Sequence, residues 1–147
     1  MKLSTKVRYG LRAMIDLAVQ DSDTPVLVQD IAKRQRVSKK YLENLLVTLK
    51  ASGLVRSVRG AKGGYGLNRP ADRITVEDIM VSLDGPVAYT DCASRPDYCD
   101  QIHCCAAHEL WVKLTQSALK VLRETTLQML AEREREKQAD TTLMYYI

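Results

Sequence analysis

Outside residues 92–105 this chain has no cysteine at all. Thiols placed by packing alone would be scattered, so the four that exist point to a shared chemical role, with inert cysteines as the alternative. No apolar run approaches the ~20 residues needed to cross a membrane. The opening MKLSTKVRYG lacks the apolar centre of a signal peptide. Cytoplasmic residence without membrane partners is therefore expected. In that compartment thiols stay reduced, and clustered cysteines bind metal or do redox work. Gly-Lys-Ser/Thr is also missing, and no strand-to-helix transition follows the glycine-rich stretch. That argues against a phosphate-cradling nucleotide enzyme. No credible nucleophile–base pair stands out, so the chain is not expected to be an enzyme. Internal repeats are absent.

What is present begins with charge. Residues 1–73 carry 15 Lys+Arg against 6 Asp+Glu, and residues 74–147 carry 7 against 12. The first half is thus +9 and the second −5, which points the first half at a polyanion. The bland alternative is ordinary surface charge.

The apolar pattern gives a mainly α fold with a small β-hairpin wing. Ser4 or Thr5 can cap a first helix with a stripe of Val7, Leu11, Met14, Ile15, Ala18 and Val19. A loop over 21–25 precedes a short helix with Ile31 and Ala32 inward and Lys33, Arg34 and Arg36 outward. Ser38 caps a third helix, with Leu42, Leu45, Leu46 and Leu49 facing in and Gly53 ending it. Residues 54–58 and 65–67 read as two strands around a basic, glycine-rich turn. Thr75 with Asp78 resembles a capping box for a helix carrying Val76, Ile79, Met80 and Leu83.

Helix, short helix, tight turn, helix and basic hairpin is the order of a winged helix-turn-helix. The leucine stripe fixes the buried face of the third helix and leaves Lys40, Glu43, Asn44 and Val47 opposite it. Lys39 and Lys40 suit phosphates near the helix N-terminus. A carboxylate facing phosphates is repelled on average, so Glu43 suits a base-reading role, accepting from cytosine N4, and Asn44 can pair with adenine. The DNA-facing set expected is Ser38, Lys39, Lys40, Tyr41, Glu43 and Asn44 on the helix, with Arg56, Arg59 and Lys62 on the wing. Arg59 at the tip could enter a narrow minor groove. A merely solvated helix face is the alternative.

The cysteines follow the pattern Cys92-x6-Cys99-x5-Cys105-x2-His108, with Cys104 extra. Cys105 and His108, three apart at a helix start, share a face. Thiolates with one imidazole suit a small iron–sulfur cluster. Zinc on the same donors is chemically allowed, and a thiol redox switch needs no metal. His103 reads as solvent-exposed loop, with a role as spare ligand as the alternative. From about Cys105 a long helix to Lys137 is expected, with an apolar stripe of Leu110, Trp111, Leu114, Ala118, Val121, Leu122, Thr125 and Met129. A second copy would bury that stripe; an intrachain core helix is the alternative. The expected organisation is a DNA-binding domain over 1–84, a cluster-binding loop over 85–104, a dimerisation helix over 105–137, and a tail over 138–147 that is either disordered or docked.

The segments MKLSTKVRYGLRAMIDLA and SKKYLENLLVTLKASGLVRSVRGAKGGYGL, together with the cysteine loop followed by CAAHELW, resemble the IscR-type iron–sulfur cluster regulators. Their relatives include the nitric-oxide-sensing NsrR proteins. The resemblance covers about residues 1–135. It implies a homodimer joined by the long C-terminal helix, with winged-helix domains reading a palindromic operator in double-stranded DNA. It implies a [2Fe–2S] cluster on Cys92, Cys99, Cys105 and His108, with cluster-assembly genes as targets and iron–sulfur assembly proteins as donors. It also places base recognition on Glu43 and its neighbours, and Arg59 in the minor groove.

Two features depart from the IscR pattern. The first interval has six residues where that pattern has five, and Cys104 beside Cys105 is a substitute for the third thiolate. NsrR-like members hold [4Fe–4S] with an acidic residue from the partner's first helix, a region occupied here by Arg8 and Arg12. A winged-helix regulator with another input (nitric oxide, thiol oxidation, zinc or a protein partner) and an iron–sulfur electron carrier remain as alternatives.

Overall fold

A computed structural model describes residues 2–20 and 23–146. Asp21 and Ser22 of the expected loop, and Ile147 of the tail, lie outside the described residues. The chain forms α1 (Thr5–Gln20), α2 (Val28–Gln35), α3 (Lys39–Ala51), β1 (Val55–Val58), β2 (Gly64–Leu67) and α4 (Val76–Asp84). The short α5 (Asp91–Ser94) and two 3-10 turns then lead to α6 (Ala106–Glu124) and α7 (Leu127–Tyr145).

Local chemistry sets most of the ends. Ser4 Oγ accepts from the Val7 N–H at 3.2 Å, so Ser4 caps α1. Ser38 Oγ accepts from the Tyr41 N–H at 3.3 Å and caps α3. Thr75 and Asp78 exchange side-chain and backbone bonds at 3.1 and 3.0 Å, a complete capping box at the start of α4.

α1 is the central helix and packs against α2, α3, α4 and α7. One apolar stripe is too narrow for that position. The structure buries Val7, Gly10, Ala13, Met14, Leu17 and Ala18, while Leu11, Ile15 and Val19 of the expected stripe are partly covered. The stripes on α3 and α4 are buried as expected.

The wing is antiparallel, with Val55 opposite Leu67 and Val58 opposite Gly64. Val26 adds a third rung: its N–H donates to Tyr65 O and its carbonyl accepts from Tyr65 N–H, both at 2.8 Å. A Cβ at Gly64 would lie 2.3 Å from Val26 O, so the backbone approach requires glycine there.

The expected single helix from Cys105 to Lys137 is two helices. Thr125 and Thr126 are extended, and Thr126 Oγ1 accepts from the Met129 N–H at 3.3 Å, capping a new helix. The break is stabilised by a β-bridge to the start of α4. Val76 N–H donates to Thr125 O at 3.0 Å and Leu127 N–H to Ile74 O at 2.8 Å. Two β-branched residues with a capping hydroxyl favour this over uninterrupted helix.

α7 then returns along α1, and Leu127 and Ala131 enter the core. Arg135 donates to the end carbonyls of α1, Ala18 O at 2.8 Å and Val19 O at 3.0 Å. The core of the N-terminal domain is therefore completed by residues far beyond position 84. The tail continues α7 to Tyr145, and Leu143, Met144, Tyr145 and Tyr146 remain exposed instead of docking.

Because Leu127 is fully buried, Leu127→Ala is expected to destabilise the folded chain by about 3 kcal/mol. Urea unfolding measures this; an unchanged midpoint would mean that α7 does not complete the core.

Candidate nucleic-acid interface and thiol loop

α3 presents Lys39, Lys40, Asn44 and Val47 to solvent, with Glu43 half-exposed beside them. Glu43 lies 3.7 Å from Lys39 Nζ one turn back, an exposed ion pair that holds little free energy and can open to another partner. Ser38 is exposed while capping the helix. Tyr41 is different: its ring is partly buried and meets Tyr9 of α1 edge-on at 6.1 Å. Its ring thus braces α3 against α1.

On the wing, Arg59 and Lys62 are exposed at the turn, where Gly60 takes φ +114°. Arg56 is half-buried and donates through Nε to Leu67 O at 3.2 Å, lying over Gly66. Part of its guanidinium is committed to holding the hairpin. Lys50, which the helical pattern does not single out, donates to Ser57 Oγ at 2.5 Å and ties the end of α3 to β1. Arg36 ends α2 at φ +53°, exposed in the tight turn before α3.

Arg34 does not simply point outward. It forms a two-pronged pair with Asp16 of α1, with contacts of 2.6, 2.9 and 3.2 Å. The Asp16 side chain is 4% exposed, and Gln35 also donates to it at 2.9 Å. The hydrogen bond from Arg34 to Asp16 is the main reason its guanidinium pKa is raised. Arg12 in turn donates to the side chain and carbonyl of Gln35 at 3.0 and 3.1 Å. These contacts fix α2 on α1. A buried carboxylate needs such partners, and neither helical periodicity nor a short motif marks Asp16 as their centre.

The thiol loop is a chain of one-turn pieces: α5, then 3-10 turns over Pro96–Tyr98 and Ile102–Cys104. Its base is held to α6 by the Tyr89 N–H, which donates to Thr115 Oγ1 at 3.2 Å. All four thiols are unbridged; Cys92 and Cys105 are partly buried, and Cys99 and Cys104 are exposed. Cys92 Sγ lies 3.2 Å from Thr90 Oγ1, and Cys104 Sγ donates to Gln101 O at 3.4 Å. Cys105 is the N-cap residue of α6, with His108 one turn in. His103 is exposed.

Among the described residues no three His, Cys, Asp or Glu side chains are gathered for one metal ion. The donor set still fits an iron–sulfur cluster by its chemistry, and one buried atom is consistent with a ligand role: His108 Nδ1 has no hydrogen-bond partner. A buried ring nitrogen without a partner costs free energy unless something else satisfies it.

Of the described residues of α6, only Thr115 is buried. Leu110 and Val121 of the expected stripe are 49% and 62% exposed. The C-terminal end of α6 is fixed to the domain by Arg123, which donates to Glu77 at 2.6 and 3.0 Å.

A tri-helical unit with a basic hairpin and an outward-facing third helix defines a winged-helix transcription regulator. The chain belongs to the Rrf2 family, whose model, described as an iron-dependent transcriptional regulator, matches residues 3–133. It is 40% identical over 131 residues to the HTH-type transcriptional regulator CymR of Bacillus subtilis, covering 89% of this chain and 90% of that one. It is 40% identical over 127 residues to the HTH-type transcriptional regulator IscR of Vibrio atlanticus, covering 86% and 73%. The solved structure of IscR from T. potens superposes with a TM-score of 0.74 at 38% identity, covering 92% of this chain and 90% of that one. These relatives are regulators of transcription, not enzymes, and among the described residues no helix is long and apolar enough to cross a membrane.

Removing the acceptor at the α1–α2 junction tests its weight. Asp16→Ala is expected to cost about 1–2 kcal/mol, because Arg34 and Gln35 lose a charged partner but can still reach water. A urea midpoint equal to the parent's would show that the junction is held by apolar packing alone.

Proposed function

We propose that this chain is a homodimeric, cytoplasmic DNA-binding regulator that senses iron–sulfur status through a [2Fe–2S] cluster on Cys92, Cys99, Cys105 and His108. The observation that carries the reading is the donor set itself: three thiols and an imidazole on one loop and helix start, with His108 Nδ1 buried and unpartnered. Cys105 is preferred to Cys104 because it stands one helical turn from His108, whereas Cys104 is exposed and bonded to Gln101 O. Such a cluster supplies a redox-active and labile centre whose potential is set by its ligands and their hydrogen bonds.

The chain's own residues would carry the response. Cys105 and His108 stand at the N-terminal end of α6, and Arg123 couples the other end of α6 to Glu77 of α4. The Thr75–Thr126 bridge joins the same two regions. A change in the order of the loop can therefore bias how α6 and the winged helix sit together, provided the two arrangements bind the group unequally. A second copy covering Leu110, Leu114 and Val121 would make the dimer, with DNA half-sites about 34 Å apart or a multiple of that. Cluster-assembly genes are the expected targets, with assembly proteins as donors.

A second reading has its own support. Four unbridged thiols, two of them exposed, on a chain 41% identical to a Staphylococcus aureus CymR solved in an oxidized form, suit a regulator answering to thiol oxidation instead.

Anaerobic purification with a visible spectrum and iron, sulfide and zinc assays separates the two. A [2Fe–2S] spectrum with equal iron and sulfide supports the cluster reading. A protein that stays colourless after reconstitution, or holds zinc, overturns it. On DNA, Glu43→Ala is expected to broaden operator choice by weakening rejection of wrong bases, each such base being worth about 1–3 kcal/mol; unchanged selectivity in a mobility-shift series would remove Glu43 from base reading. Arg59→Ala is expected to weaken binding to all operators alike and to lower the salt dependence of log K by about 0.9. Parent affinity across those operators would place Arg59 outside the interface.

A further inference from the structure

Thr90 is the N-cap residue of α5, in extended conformation, yet its side chain makes no capping hydrogen bond. Threonine at an N-cap usually accepts from the backbone of the next turn. Here the hydroxyl lies 3.2 Å from Cys92 Sγ. The neighbouring Tyr89 N–H is fixed on Thr115 Oγ1 of α6, and Thr115 is one of the two buried polar residues of the described chain. The segment carrying Cys92 is therefore anchored to α6 directly, at the residue before Thr90. Cys99, in contrast, is exposed and follows a 3-10 turn.

We infer that Thr90 is a positioning and tuning residue for the thiolate of Cys92. The inference rests on the cluster reading above. With Cys92 deprotonated as a ligand, sulfur offers only acceptor capacity, and the hydroxyl proton of Thr90 points to it. A hydrogen bond to a ligating sulfur stabilises the more negative, reduced form over the oxidised one, and so raises the reduction potential. The contact also orients the Cys92 side chain before any metal arrives, because the hydroxyl is not spent on the helix end. Nothing in the residue spacing distinguishes Thr90 from the other polar residues of the loop. The distance and the missing cap do.

The test compares the parent with Thr90→Val and Thr90→Ser, each purified anaerobically and reconstituted with iron and sulfide. Thr90→Val keeps the shape and removes the donor; Thr90→Ser keeps the donor. The readouts are iron and sulfide content, visible circular dichroism and the midpoint of a dye-coupled redox titration. Thr90→Val is expected to load normally, with an altered dichroism spectrum. Its reduced-to-oxidised ratio at fixed solution potential should fall about tenfold, a shift of 59 mV for a one-electron couple. Thr90→Ser should stay at the parent midpoint. A fully loaded Thr90→Val with the parent's midpoint overturns the inference while leaving the cluster reading intact. So does an equal downward shift in both variants, which would assign the effect to shape and not to the donor. If the parent itself takes up no cluster, the underlying reading fails and the inference falls with it.

Discussion

The return of α7 onto α1 is the constraint on which the rest depends. It requires the chain to leave helix at Thr125 and Thr126, and a β-bridge to Thr75 satisfies the backbone groups that the break exposes. Once turned, α7 sets Leu127 and Ala131 into the core and lets Arg135 hold the last carbonyls of α1. α1 is then covered from four sides, which is why its buried residues cover more than one stripe. The same turn leaves Leu110, Leu114 and Val121 of α6 exposed. One local break thus decides both the completeness of the winged-helix core and the availability of α6 to a partner.

The basic half is organised by uneven commitment of its charges. Arg34 is drawn to buried Asp16, Arg12 to Gln35, Arg56 to its own hairpin and Lys50 to Ser57. Those groups hold α1, α2, α3 and the wing in register. Lys40, Arg59 and Lys62 stay exposed on α3 and at the wing turn, with no hydrogen-bond or ion-pair partner among the described residues. A polyanion would meet a surface of free cations mounted on a frame of spent ones, and the frame fixes the angle between helix and hairpin.

The acidic half works by different chemistry. Its thiol loop is built of single turns with little buried surface, anchored at one end by Tyr89 on Thr115 and at the other by the start of α6. Loops of this kind sit at the low end of local stability and respond readily to a bound group. Arg123 on Glu77 and the Thr75–Thr126 bridge connect α6 to α4. These contacts tie the helix that follows the thiol loop to α4 of the winged-helix core through specific polar groups.

Residue pattern alone determined the helix-turn-helix order, the caps at Ser38 and Thr75, the buried faces of α3 and α4, the hairpin around Gly60, and the four thiols with His108 as a candidate donor set. These are local signals: capping bonds, glycine conformations and leucines at helical spacing depend on neighbours within a few residues. Tertiary structure alone decided what rests on distant partners. The split at Thr125, favoured locally by two threonines, is fixed by hydrogen bonds to residues 74 and 76, and the wide burial of α1 comes from helices that arrive later in the chain. The capture of Arg34 needs Asp16, eighteen residues away, and the turning of Tyr41 toward Tyr9 needs α1. Thr90 could cap a helix by its position alone; that its hydroxyl faces Cys92 Sγ and not the helix end is visible only in the folded loop.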